Sequence, residues 1–289
     1  MPHPPLKVFY SPLYAVIGKM ETVTKSKIVA SLIEAGKAGE VTLEAPKLAT
    51  RKELELIHTS EYVRSTFEDK GAFLEVGPWS QPLLDSILAS TGGMRDAVKE
   101  AFKNGRSGSL SSGLHHARKN SGNGFCQFNG LALAALEALK KVKTVGILDL
   151  DAHAGGGTFD ILGDHKQVYL ADVTVNAFDS WEPSDPARHF YVEVDSPKDY
   201  LRHVEAALHS LERVDFLIYN AGMDTYEKAG GMKGITKDII RKREKLVVHW
   251  ARARKIPHIF ALAGGYKWGG LTLEQVAELH LETVKAFAV

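Results

Sequence analysis

Residues Thr144-Val145-Gly146-Ile147-Leu148-Asp149-Leu150 (TVGILDL) decide the fold. A short, continuous apolar run predicts a strand buried on both faces, which is the texture of a parallel sheet. The same texture returns at 167–171, 190–194, 214–220 and 257–263, and a short strand is expected at 6–10. Helical patterns lie between and around these runs. They cover 21–38, with Ile28, Leu32 and Ala35 on one face; 54–67, broken at Thr59-Ser60; and 82–103, loosened by Gly92-Gly93. Further helices are expected at 129–142, at 197–211 with Pro197 in the first turn, at 236–254 and at 272–289. The Gly- and Ser-rich segment 104–113 reads as a loop. Segment 178–189 (FDSWEPSDPARH) is a long connection with two prolines and no period, the kind that often carries function. Alternating strands and helices predict an α/β fold: a mainly parallel central sheet with helices on both faces. No linker-like stretch divides the chain, so one domain is expected over 1–289.

Composition narrows the function classes. Apolar residues make up 44% and charged residues 25%, the balance of a globular protein rather than a disordered one. The formal net charge is +1, so nothing in it calls for a nucleic-acid or membrane partner. The single cysteine, Cys126, excludes an intramolecular disulfide and fits a reducing compartment. Met1–Pro5 lacks the basic and apolar stretches of a signal peptide, and no apolar run reaches the ~20 residues that span a bilayer. A cytoplasmic protein is expected.

The chemistry begins where TVGILDL ends. Asp149, Asp151 and His153 follow one another at the carboxyl end of the most apolar strand, the edge at which open parallel sheets bind ligands. Two carboxylates and an imidazole are expensive there unless something uses them. Alternate residues on a straight strand lie roughly 6.6 Å apart, too far for all three to reach one ion at about 2.0–2.2 Å. A turn after Leu150, permitted by Gly155-Gly156-Gly157, lets Asp151 and His153 converge and leaves Asp149 behind them. Asp224 lies four residues beyond another apolar strand, at the same edge. After a third strand, Gly264-Gly265 lets backbone approach a ligand closely, and Tyr266 projects over the same rim. Adjacent His115 and His116 sit in a glycine-flanked loop. Three oxygen and nitrogen ligands with an open position make a catalytic zinc site. Histidine to take a proton from water and tyrosine to bond an oxyanion complete the equipment for metal-assisted amide hydrolysis. Singly, each of these residues has a plainer reading as a turn former, a loop residue or packing. Their joint arrangement favours the functional one.

Five motifs in order, GLHHA (113–117), GFCQFN (124–129), LDLDAHAGGG (148–157), YNAGMD (219–224) and GGY (264–266), resemble the histone deacetylase family of the arginase–deacetylase superfamily, most of all its class IV branch. The resemblance implies an arginase-like α/β fold with one zinc ion held by Asp151, His153 and Asp224, and with potassium near the Asp149 strand. It implies His116 as general base, His115 beside it and paired with Asp149, and Tyr266 on the substrate carbonyl. Gly124 and Phe125 would line a tunnel for the acyl-lysine stem, with Gly265 close to the substrate. The implied activity is removal of an acyl group, acetyl or longer, from acyl-lysine or from a small acylated amine.

The sequence departs from the family pattern in places. Gly156 stands three residues after His153, where family members carry a carboxylate or amide that supports the second histidine. That support is expected to be missing, leaving His116 less basic or less ordered. Ala154 follows His153, and 19–27 (KMETVTKSK) replaces a His-Pro-Glu entry loop. A two-manganese ureohydrolase would need a further carboxylate at 155, where Gly155 stands. A non-catalytic acyl-lysine-binding module is the other alternative, opposed by Tyr266 and both histidines. Cys126 reads as a buried small hydrophobe. Eight further histidines, His58 among them, read as structural or surface residues. Phe178 and Trp181 either wall the entrance or pack within their loop.

Overall fold

The computed structural model describes residues 4–16, 18–70 and 73–289; of the N-terminal residues singled out above, Met1, Pro2 and His3 lie outside them. The strands are β1 (Leu6–Phe9), β2 (Val41–Glu44), β3 (Phe73–Leu74), β4 (Gly77–Pro78), β5 (Arg106–Ser109), β6 (Val145–Asp149), β7 (Val168–Thr174), β8 (His189–Glu193), β9 (Phe216–Asn220) and β10 (His258–Ala261). The helices are α1 (Lys25–Glu34), α2 (Arg51–Leu54), α3 (Ser60–Glu68), α4 (Gln81–Asn104), α5 (Gly130–Leu139), α6 (Gly156–Leu162), α7 (Tyr200–Ser210), α8 (Lys237–Ala253) and α9 (Leu273–Ala288).

Eight strands form one sheet in the order β2-β1-β5-β10-β9-β6-β7-β8, and every pairing in it is parallel. A separate antiparallel pair, β3-β4, lies outside it. Strand periodicity sorts the core onto two faces. Leu148, Leu217, Tyr219 and Phe260 pack in one hydrophobic cluster with residues of α1, α7, α8 and α9. Their neighbours Ile147, Phe216, Ile218 and Ile259 pack in a second cluster with α4 and α5. All five residues of β6 are buried, as TVGILDL predicts. The pairing register aligns Asp172, Asp149, Asn220, Ala261 and Ser109 across the carboxyl edge of five neighbouring strands. Short loops leaving that edge therefore converge.

Several expectations are corrected. Segment 104–113 contains β5, a strand between β1 and β10, although its Arg-Ser-Gly-Ser sequence has no strand signature. Its place comes from backbone pairing on both sides. Strand β2 and helix α6 were not foreseen. The helix expected at 21–38 splits into a 3-10 turn (Glu21–Thr24) and α1, which ends at Glu34. The pattern at 54–67 divides into α2 and α3, with Thr59 capping α3. Helix α4 is continuous through Gly92-Gly93. Those glycines serve close approach: a Cβ on Gly92 would sit 2.1 Å from the Lys47 carbonyl, and one on Gly93 1.9 Å from the Tyr14 hydroxyl. Pro197 precedes α7, whose capping position is Asp199. None of the helices among the described residues is long and apolar enough to cross a membrane.

His58 ties the loop that carries the second histidine to the body of the fold. Its Nε2 accepts from the Asn129 amide at 3.1 Å, so Nδ1 carries the proton and donates to the Arg118 carbonyl at 2.7 Å. Burial pushes this imidazole down to about 4. The unfolded chain therefore takes up a proton below pH ~6.5 that the folded chain refuses until about pH 4. Stability is full above that window and falls as the pH falls through it, by at most about 3 kcal/mol from this residue. Urea unfolding at pH 7 and pH 4.5 checks this. The wild type is expected to lose more stability between the two than His58→Gln; equal losses would contradict the assignment.

Candidate metal centre and active site

The β6 strand ends on Asp149, and its carboxylate is fully engaged. Oδ2 lies 2.8 Å from His115 Nδ1, while Oδ1 accepts from the Asn220 side chain at 2.8 Å and from the Asp151 amide at 3.2 Å. The chain then turns, and Asp151 Oδ1 accepts the His153 amide at 3.1 Å. The His153 ring is folded back so that Nδ1 stands 3.2 Å from Asp151 Oδ1 and 3.4 Å from Asp224 Oδ2. Asp224 arrives from the loop after β9, steadied by the Ala152 amide on its Oδ1 at 3.0 Å. Beneath both loops the buried Arg243 guanidinium donates to the carbonyls of Gly222 and Leu150.

One atom each from Asp151, His153 and Asp224 lies within 4.8 Å of the others, a group able to hold a metal ion. Two observations fit a cation. Asp224 Oδ2 is buried without a hydrogen-bond partner among the described residues. Gly264 cradles the group, its amide bonding Asp151 Oδ2 at 2.7 Å; a Cβ there would sit 2.0 Å from Asp224 Oδ2 and 2.6 Å from Asp151 Oδ2. Burial and the charge on Asp151 push the Asp224 carboxyl up. Burial also opposes charge on Asp151, but the His115 and His153 imidazoles outweigh it and hold this carboxyl well below the usual range. His153 goes the other way, from the ordinary ~6.5 up to about 10, because Asp151 and Asp224 overcome its burial.

The two adjacent histidines follow β5 on a loop where Leu114 has φ 63°. Their ring centroids are 3.9 Å apart, yet their environments are opposed. Burial resists protonation of His115, but Asp149 and Asp151 lift it to about 10. Burial and the neighbouring His115 charge push His116 down to about 4. One imidazolium and one neutral imidazole thus stand side by side, a division that suits one group to electrostatic assistance and the other to proton abstraction.

His116 does not lack support, contrary to the expectation from Gly156. The Asp179 carboxylate, from the long 178–189 connection, lies 2.8 Å from His116 Nδ1. His116 is less basic than an ordinary histidine, but because of burial and His115 rather than an absent partner.

Six of the ten predicted site residues border one cavity, while Asp149, His153, Asp224 and Gly265 are not among its lining. His115, His116, Gly124, Phe125, Asp151, Gly264 and Tyr266 line it together. Gly124 lies flat against the His116 ring, and Phe125 is exposed beside it. Gly265 has φ 155°, and its carbonyl accepts from the Thr22 hydroxyl, while the Lys25 ammonium bonds the Ala263 carbonyl. Tyr266 stacks on Trp268 at 4.6 Å, and burial together with Asp224 and Asp151 keeps its hydroxyl protonated. Phe178 stands edge-on to both His116 and His153 at 5.0 and 5.8 Å, so it belongs to the site. Trp181 does not: it is buried against Phe159 and donates to Asp172. Cys126 is buried in the cavity wall, and burial pushes its thiol up, as a packing residue requires. Sequence reasoning missed Asp179, Asn220, Thr22 and Lys25. Asp179 carried a signal in the length of its connection, and Asn220 in the YNAGMD motif that contains it.

Comparison with known proteins identifies the family. The histone deacetylase domain matches residues 19–284. Histone deacetylase 2 of Arabidopsis thaliana is 29% identical over 90% of this chain and 74% of its own length. An uncharacterized protein of Picosynechococcus is likewise 29% identical, over 81% of this chain and 82% of its own. The crystal structure of the HDA15 HD domain superposes with a TM-score of 0.83 at 20% identity, covering 99% of this chain and 90% of that one. The arginase-like α/β fold and the deacetylase class of hydrolase follow: the chain belongs to the histone deacetylase family.

Proposed function

We propose that this protein is a zinc-dependent deacylase, cleaving the amide of acyl-lysine or of a small acylated amine, with Asp151, His153 and Asp224 as the metal ligands. The observation that carries the reading is the convergence of these three side chains beside Asp224 Oδ2, which accepts no hydrogen bond among the described residues, with Asp151 also lining the cavity that His116 and Tyr266 border. The donor set, two carboxylates and one imidazole with room for water, matches the chemistry of catalytic zinc. Bound zinc supplies Lewis acidity, which acidifies water and polarises an amide carbonyl. A potassium ion beside the β6 end belongs to the same reading, because buried Asp149 and Asp172 are paired there and Asp172 Oδ1 has no hydrogen-bond partner among the described residues. The single cysteine supports a cytoplasmic setting.

In this reading the chain's own groups divide the work. Neutral His116, with Nδ1 engaged by Asp179, presents Nε2 as acceptor for the proton of the attacking water. Cationic His115 offsets negative charge gathering beside it. The Tyr266 hydroxyl donates to the carbonyl oxygen as it becomes an oxyanion. His116 then returns its proton to the departing amine nitrogen, so the products are a carboxylic acid and a free amine. Phe125 and Phe178 flank the mouth and suit the aliphatic stem of an acylated amine.

Turnover of lysine peptides and polyamines carrying acyl groups of several lengths, by zinc-loaded protein, tests the reading. Steady release of free amine is expected for at least one member. Acyl-lysine binding without turnover would make the protein a binding module instead. Loss of one oxyanion donor typically costs about 10²–10³ in rate, so Tyr266→Phe should lose that much while keeping its metal; unchanged turnover would remove Tyr266 from the mechanism. Gly264→Ala should remain folded but lose zinc affinity, because its Cβ would displace both carboxylates. Calorimetric zinc titration measures this, and wild-type affinity in that variant would contradict the assigned ligand geometry.

A further inference from the structure

The support of His116 has moved to a different part of the chain. The Asp179 side chain is 1% exposed, and its Oδ2 meets both His116 Nδ1 at 2.8 Å and the Gly157 amide at 3.2 Å. Its Oδ1 pairs with the Arg118 guanidinium, itself 37% exposed. The backbone at Asp179 has φ 59°, a left-handed conformation that aspartate tolerates better than most residues. This aims the carboxylate inward from a surface connection.

The space it enters is the space that Gly156 leaves. A Cβ on Gly156 would sit 2.3 Å from the Asp179 carbonyl, 2.6 Å from its Oδ1 and 2.8 Å from its Cγ. Gly156 is not among the glycines with positive φ, so its conformation does not require glycine. What requires glycine is the arriving Asp179, through its backbone carbonyl first and its carboxylate second. Arg118, two residues after His116, supplies a countercharge for Asp179 and so helps it stay an anionic acceptor.

We propose that Asp179 is the positioning residue for His116, entering the space that a side chain at position 156 would fill. Accepting from Nδ1–H fixes the tautomer that leaves Nε2 free toward the cavity, and fixes the ring plane. Asp179 touches neither substrate nor metal ligand; it acts through His116. The inference rests on the proposed role of His116, and its test separates the two.

The experiment compares wild type, Asp179→Gly, Asp179→Asn and Gly156→Asp, all zinc-loaded. Asp179→Gly is expected to lower kcat about 10–100-fold, short of the roughly 10²–10⁴ that a general base is worth, with KM within about twofold. Asp179→Asn, whose amide oxygen also accepts from Nδ1–H, should retain most of the activity. Gly156→Asp should be impaired, because its Cβ meets both the backbone carbonyl and the carboxylate of Asp179. Proton NMR gives a readout independent of turnover: of the two strongly downfield imidazole N–H resonances expected, from His115–Asp149 and His116–Asp179, one disappears in Asp179→Gly. An unchanged kcat in Asp179→Gly, or both resonances surviving in it, would overturn the proposal. A wild type with the resonances but no deacylase turnover would overturn the functional reading while leaving the hydrogen bond in place.

Discussion

Four carboxylates, Asp149, Asp151, Asp172 and Asp224, are buried together at the carboxyl edge of a parallel sheet, and the surrounding structure is arranged to tolerate them. Withdrawing one such charge from water costs several kcal/mol even after relaxation. Each is therefore given donors: Asp149 has Asn220 and His115, Asp151 has the Gly264 amide, Asp172 has the Gly155 amide and Trp181, and Asp224 has the Ala152 amide. Backbone amides contribute because the loops leaving β6 and β10 turn sharply at glycine-rich sequence. Arg243 holds the loops leaving β6 and β9 by their carbonyls. Asp151 and Asp224 face one another across the His153 imidazole, and that donor set is one a metal cation complements.

The same field separates the two histidines. They are adjacent in sequence and nearly in ring contact, so they cannot both be charged without mutual cost. Asp149 sits on one ring and makes it the cation. The other ring, buried and next to that cation, stays neutral although Asp179 bonds it. In the proposed mechanism, a catalytic base and an electrostatic partner would arise from two copies of one side chain through placement alone.

Much of this was legible in the sequence, and the limits have physical causes. TVGILDL announced a buried parallel strand because a strand enclosed on both faces must be apolar throughout. The positions of Asp151, His153, Asp224 and Tyr266 followed from the rule that ligands gather where such strands end. Strand β5 was not legible, because Arg-Ser-Gly-Ser owes its conformation to neighbours on both sides that a local window does not contain. Gly92-Gly93 looked like a weak point in a helix, but those glycines admit other parts of the chain. Gly156 was misread for the same reason: the missing side chain was evident, the carboxylate arriving from 23 positions further along was not. Local sequence shows a vacancy, and only tertiary structure shows its occupant.

X-ray absorption at the zinc edge of the zinc-loaded protein tests the central claim, that a single ion sits on two carboxylates and one imidazole. The account predicts one ion per chain with only oxygen and nitrogen neighbours at about 2.0–2.2 Å, including the scattering of a single imidazole. A sulfur neighbour at about 2.3 Å, or a second metal within about 4 Å, would contradict it.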